Sequence, residues 1–183
     1  MTSRGGWWRL QVFLLVACAL CPQFSSGLSP GAALEYAVKA AYLFKFTRFI
    51  EWPATAFASP DSPFNICILG NNPFGESIQQ DVNGETVAGR RVAVQRLDHL
   101  PAPGVCQILY AGNPEERIRA LGEIPKGVLT IGEGAAFARA GGMIGFLVEN
   151  RRVTFDINWK VAEANGLKLN SGLLTVARTV IRQ

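Results

Sequence analysis

Cys67 and Cys106 are the residues of this 183-residue chain best placed to make a covalent bond. Cysteine also occurs at Cys18 and Cys21, a C-x-x-C spacing, but that pair sits in an apolar run near the N-terminus and does not read as a redox centre. In an oxidising compartment, the two remaining cysteines are expected to bond to each other, the alternative being two separately buried thiols. Other chemistry is sparse. The single histidine, His99, stands beside Leu100-Pro101 in a predicted loop, so neither a histidine-dependent triad nor a multi-His metal site is expected. Gly70-Asn-Asn-Pro-Phe-Gly75 follows a predicted strand, where phosphate-binding turns occur, but it matches neither the dinucleotide fingerprint nor a P-loop and reads as a turn. Glu149 and Asp156 could approach each other across a hairpin, with Arg151 and Arg152 expected to pair them. No catalytic, cofactor-binding or metal-ligating constellation emerges, and no enzyme activity is expected.

The compartment follows from the first residues. Met1 to about Gly27 has arginines at 4 and 9, an apolar run from Leu10 to Leu20, and a small-residue stretch at Ser25-Ser26-Gly27, the layout of a secretory signal peptide. The run is too short to span a bilayer. Leu15-Val-Ala-Cys18 also resembles a lipoprotein processing site, which would leave Cys18 as an acylated N-terminus. Either route leads out of the cytoplasm. Residues 28–183 then form one domain, long enough to bury about 68–70% of the surface its unfolded chain exposes. The formal charge is +4, falling to +2 without the two leader arginines, and no long basic block follows; this is too balanced for a nucleic-acid binder.

Several elements must position these residues. Ser29-Pro30 predicts a helix start, and the helix runs to about Ile50, with Glu35 and Lys39 as an i,i+4 pair facing water and Lys45 and Arg48 on a solvent stripe. Its second half is apolar nearly all round, which predicts burial on more than one side, and Trp52-Pro53 ends it. Three apolar runs, Phe64–Leu69, Cys106–Ala111 and Val128–Ile131, each precede a Gly, Asn or Pro turn, which is βα punctuation; Asn113-Pro-Glu-Glu116 is the clearest helix start among them. Arg91–Arg96 adds a strand. Met143–Val148 and Val153–Ile157 flank a turn and read as an antiparallel hairpin. Asn158 is expected to cap a helix stopping at Gly166, and Ser171 a last helix running to Ile181. The fold class is α/β: a mostly parallel sheet with one antiparallel hairpin and helices on both faces.

Six blocks in order carry a resemblance: Lys39-Ala-Ala-Tyr-Leu-Phe-Lys-Phe-Thr-Arg-Phe-Ile-Glu-Trp-Pro53, Cys67-Ile-Leu-Gly70, Leu129-Thr-Ile-Gly-Glu133, Gly141-Gly-Met-Ile144, Phe155-Asp-Ile-Asn158 and Gly166-Leu-Lys-Leu-Asn-Ser-Gly-Leu-Leu174. Together they resemble the YfiR family of periplasmic regulators. The resemblance implies a non-enzymatic repressor that binds the periplasmic sensor domain of an inner-membrane diguanylate cyclase, lowering cyclic-di-GMP and biofilm formation. It also implies an outer-membrane OmpA-like lipoprotein that sequesters the repressor, and a homodimer. Cys67 and Cys106 fall where the family's shared disulfide lies, whereas a second bridge found in some members would need cysteines near Ala138 and Gly145. The block from Asn158 to Leu174 matches the region through which members meet partners. Trp159, Leu169 and Leu174 are its apolar anchors, each of which could equally be core, with Lys168 and Asn170 as polar rim and Glu51 and Asp156 as further rim residues.

A second class of function stays open beside this one. Parallel sheets bind ligands at the carboxyl ends of their strands, so the turns at Gly70–Gly75 and Gly112–Pro114 could serve a periplasmic small-molecule-binding module for a sensor or transport system.

Overall fold

The computed structural model describes residues 29–112 and 121–182. The expected leader, with Cys18, and the Asn113–Glu116 helix start lie outside the described residues. Helix α1, Pro30–Phe46, begins as its sequence predicts: Ser29 Oγ accepts a hydrogen bond from the Ala32 N–H at 3.4 Å, and Pro30 takes the first turn. It stops earlier than expected. The Thr47 hydroxyl donates to the Phe44 carbonyl at 2.6 Å, closing the last turn, and the chain then extends into a short strand, β1 (Ile50–Glu51).

Strands β2 (Phe64–Leu69), β4 (Arg90–Leu97), β5 (Ile108–Ala111), β6 (Leu129–Glu133) and β7 (Ile144–Glu149) run parallel to one another. The main sheet is completed by β3 (Thr86–Val87), β8 (Arg152–Asn158) and β10 (Thr179–Ile181), giving eight strands in the order β10-β8-β7-β6-β5-β2-β4-β3. The predicted hairpin is β7–β8, paired antiparallel with Glu149 opposite Arg152. Asn150 and Arg151 fill its two-residue turn at φ of +50° and +61°, the left-handed pair that matches strand twist. A second antiparallel pair, β3–β4, turns through Ala88-Gly89 in the same way. Helices α2 (Ser77–Val82), α3 (Ala135–Arg139), α4 (Trp159–Ala164) and α5 (Ser171–Val176) connect strands. A two-residue strand β9 (Lys168–Leu169) pairs antiparallel with β1 outside the main sheet.

Strand alternation sorts the interior into two layers. Phe64, Ile66 and Ile68 of β2, Ile108 and Tyr110 of β5, Leu129 and Ile131 of β6, and Ile144 and Phe146 of β7 share one face with α1. There Phe46 stacks on Phe146 at 5.9 Å between ring centroids and meets Phe155 edge-on at 5.1 Å, so α1 is anchored to the hairpin. On the opposite face, Cys67, Leu109 and Val128 form a smaller cluster with Cys106. Helix α3 covers the same side farther along, where glycines make room for it. A Cβ on Gly132 would lie 2.6 Å from the Phe137 ring, and one on Gly142 would also overlap that ring, so only glycine at both lets Phe137 seat. Helices thus lie on both faces, as the α/β expectation holds.

The last predicted helix is split. Asn170 rather than Ser171 caps α5, accepting from the Gly172 N–H at 2.7 Å, and Ala177 turns to an extended ψ of 145° that ends it. The β-branched residues beyond add β10 parallel to β8.

Candidate partner-binding surface

The expected disulfide is formed. Cys67, inside β2, and Cys106, just before β5, are bonded with Cα atoms 5.9 Å apart, stapling neighbouring parallel strands on the face away from α1. Both are fully buried. Nearby, Gln107 organises the polar groups at that end of the sheet. Its side-chain oxygen accepts from the Asn65 N–H at 2.7 Å, its amide donates to the Ala56 carbonyl at 2.5 Å, and its own carbonyl accepts from the Trp52 indole at 3.0 Å. Trp52-Pro53, expected only to end a helix, is therefore a strut between the first loop and β5.

The pair β1–β9 joins the C-terminal block expected to meet partners to Glu51, a further expected rim residue. Ile50 faces Leu169 and Glu51 faces Lys168, and the Asn170 N–H donates to the Phe49 carbonyl at 2.8 Å. Glu51 and Lys168 form a 3.9 Å ion pair with side chains 81% and 83% exposed, so both are open to a partner. Asn170 is exposed, with its side-chain oxygen committed to capping α5. The apolar residues divide differently from the expectation. Trp159, Leu169 and Leu174 are half-buried and pack against the main core, whereas Phe49, 40% exposed, and Val176, 65% exposed, offer the open apolar surface of this region. The second half of the helix reads in sequence as apolar nearly all round, with Lys45 and Arg48 marking its solvent stripe, which hides Phe49.

Asp156 does not belong to that rim. Its carboxylate, 1% exposed, is held bidentately by Arg178 at 2.7 and 2.5 Å, and the same guanidinium donates to Glu149 at 2.7 Å. Arg178, not Arg151 or Arg152, thus pairs the two acids, because the chain after α5 returns along β8. Hydrogen bonding to Asp156 above all raises the Arg178 pKa over its already high ordinary value.

A second network corrects the helix expectation. Lys39 forms its i,i+4 contact with Glu35 at 2.5 Å but does not face water: it is 1% exposed and also donates to Glu133 at the end of β6, at 2.7 Å. Tyr110 donates to the other oxygen of Glu133 at 2.7 Å. Burial by itself pushes the Lys39 ammonium down, but the hydrogen bonds and charges of Glu133 and Glu35 outweigh it and raise its pKa above the ordinary 10.5.

His99 is exposed in a bend, and Gly70–Gly75 is a turn in which the Asn72 side chain accepts from the Phe74 N–H at 2.9 Å and donates to the Gly75 carbonyl at 3.1 Å. Gly112 ends β5 beside it, and Asn113-Pro114 lies outside the described residues. Among the described residues no three His, Cys, Asp or Glu side chains converge as metal ligands, and no helix is long and apolar enough to cross a membrane.

A family model described as YfiR/HmsC-like matches residues 36–178, a span that includes the stapled strands and the β1–β9 junction. The chain belongs to the YfiR/HmsC-like family. No curated protein matches the sequence beyond this. The family is one of periplasmic regulators and is generally non-catalytic. For a YfiR/HmsC-like chain the geometry at 138 and 145 is also informative. Gly145 faces α3, and a Cβ built on it would lie 3.6 Å from the Ala138 N, so the positions of the optional second bridge are neighbours even without cysteines. A Cβ there would also sit 2.5 Å from the Gly134 carbonyl, so this chain has closed the space with backbone.

Proposed function

We propose that this protein is an exported periplasmic repressor that binds the sensor domain of an inner-membrane diguanylate cyclase and so lowers cyclic-di-GMP and biofilm formation. Membership of a family of periplasmic regulators, over nearly the whole of the described chain, is the observation that carries this reading. The surface at β1–β9 and α5 supports it: exposed Phe49 and Val176 supply apolar contact, and Glu51, Lys168 and Asn170 supply a charged and polar rim, the composition of a protein interface. Trp159, Leu169 and Leu174 back that surface from the core side. An outer-membrane OmpA-like lipoprotein is the proposed competitor that sequesters the repressor, and the repressor acts as a homodimer.

The test is deletion of the gene with measurement of cyclic-di-GMP, followed by complementation. The expected result is a rise that wild-type protein reverses and a Phe49→Asp variant does not. Unchanged cyclic-di-GMP in a strain expressing a cyclase with a periplasmic sensor domain would overturn the reading.

A further inference from the structure

The outward side of α1 carries a feature that the cyclase reading does not use. Between α1 and the β7–β8 hairpin lies a groove of about 630 Å³, within the range of small-ligand clefts. Leu34, Val38 and Tyr42 line it from the helix, and Val148 and Val153 from the hairpin. Of the large apolar side chains exposed among the described residues, Leu34, Val38 and Val148 all line this one groove. Gly31 to Tyr42 is three turns of helix, so the apolar wall is roughly 16 Å long.

Charge gives the groove a polarity. Arg151 and Arg152 stand on it at the hairpin turn, both exposed, and neither is in the ion pairs that hold Glu149 and Asp156, since Arg178 takes those acids. Arg151 occupies the left-handed region at φ +61°, where a two-residue turn favours glycine; a long cation is kept there against the local backbone preference. Glu35 also lines the groove, from the helix. It shares Lys39 with Glu133, so two carboxylates face one ammonium and that wall carries no spare positive charge. An anion is therefore drawn to the arginines and repelled from the Glu35 side, while an apolar body lies along Leu34 and Val38.

We propose that this groove binds a small amphipathic carboxylate, a free apolar acid whose carboxylate is held by Arg151 and Arg152 and whose hydrocarbon part covers Leu34, Val38 and Val148. Guanidinium groups match carboxylates in geometry, and the apolar walls supply the burial that a hydrophilic acid would not use. The site is separate from the β1–β9 surface, so its failure leaves the cyclase reading standing.

Calorimetric titration of the purified full chain with laurate, below its micelle-forming concentration, and with dodecylamine tests this. Laurate is expected to bind one-to-one, and dodecylamine about tenfold more weakly or less. An Arg151→Gln, Arg152→Gln double variant should lose about tenfold in laurate affinity, and Val38→Glu should lose binding altogether, both with unchanged thermal melts, because all three side chains are exposed. Equal binding of the amine, undiminished binding by the arginine variant, or no laurate binding overturns the proposal. So does a wild-type dimer that Val38→Glu converts to monomer, which would make a second copy the occupant. Displacement of laurate by an apolar peptide with a free C-terminal carboxylate, at higher affinity, would reassign the groove to a protein terminus and overturn the small-molecule assignment.

Discussion

Lys39, in the middle of α1, and Glu133, at the last position of β6, meet at 2.7 Å across the carboxyl edge of the sheet. This contact ties the first helix to a strand far along the chain, with Glu35 completing the charge balance from the same helix.

Removing the ammonium should therefore loosen α1. Lys39→Met is expected to cost about 2 kcal/mol in urea unfolding, less than a fully buried pair would, because both carboxylates retain access to water. The stabilisation has a defined pH window. Since the folded pKa of Lys39 is raised, its contribution is complete below the unfolded value near 10.5 and is lost as pH climbs through the folded value. The stability difference between wild type and Lys39→Met should be flat from neutrality to about pH 10.5 and shrink above it; a difference that instead grows there would contradict this assignment.

The disulfide closes a 39-residue separation, worth about 4 kcal/mol in the chain-entropy model. A Cys67→Ala, Cys106→Ala double variant should unfold at correspondingly lower urea concentration, and reductant should shift wild type to match it. Rapid alkylation and mass spectrometry of periplasmic protein should find no free thiol at either position.

At the partner surface, Phe49→Asp and Val176→Asp should leave the melting temperature within about 2 °C of wild type and weaken sensor-domain binding by more than tenfold. Trp159→Glu and Leu169→Glu should lower stability by about 2 kcal/mol or more, since both side chains pack on the core. Lys168→Ala should mainly reduce the association rate and its salt dependence. Wild-type affinity in a folded Phe49→Asp protein would place the interface elsewhere.

Arg178→Met should lower the urea midpoint more than Arg151→Met or Arg152→Met, because only Arg178 leaves a buried acid unpaired. Equal effects would mean that Asp156 finds another partner.

Local pattern was enough to find most of the fold. Phe64–Leu69 is an isolated apolar run between turn residues, and its strand bounds are as expected. The β7–β8 hairpin follows from two apolar runs around Asn150-Arg151. What sequence could not show is where distant charges arrive. Glu35 and Lys39 look like a solvent pair until Glu133 is brought over them, and Glu149 and Asp156 look served by their neighbours until Arg178 returns along β8. Strands of two residues, β1, β3 and β9, have no period to detect. The cysteines were legible because little else in the chain can do chemistry, whereas Phe49 was not, because its exposure depends on where α1 stops.

The ring stack of Phe46 with Phe146 and Phe155 also bears on the order in which the chain can become stable. Helix α1 precedes the hairpin in the chain, so part of the surface that covers its apolar side, residues 144–158, is made only after it. Local contacts alone leave a helix of this kind marginal in water. A chain that terminates or is cleaved before the hairpin should therefore expose the aromatic face of α1 and aggregate or be degraded, rather than persist as a shortened regulator.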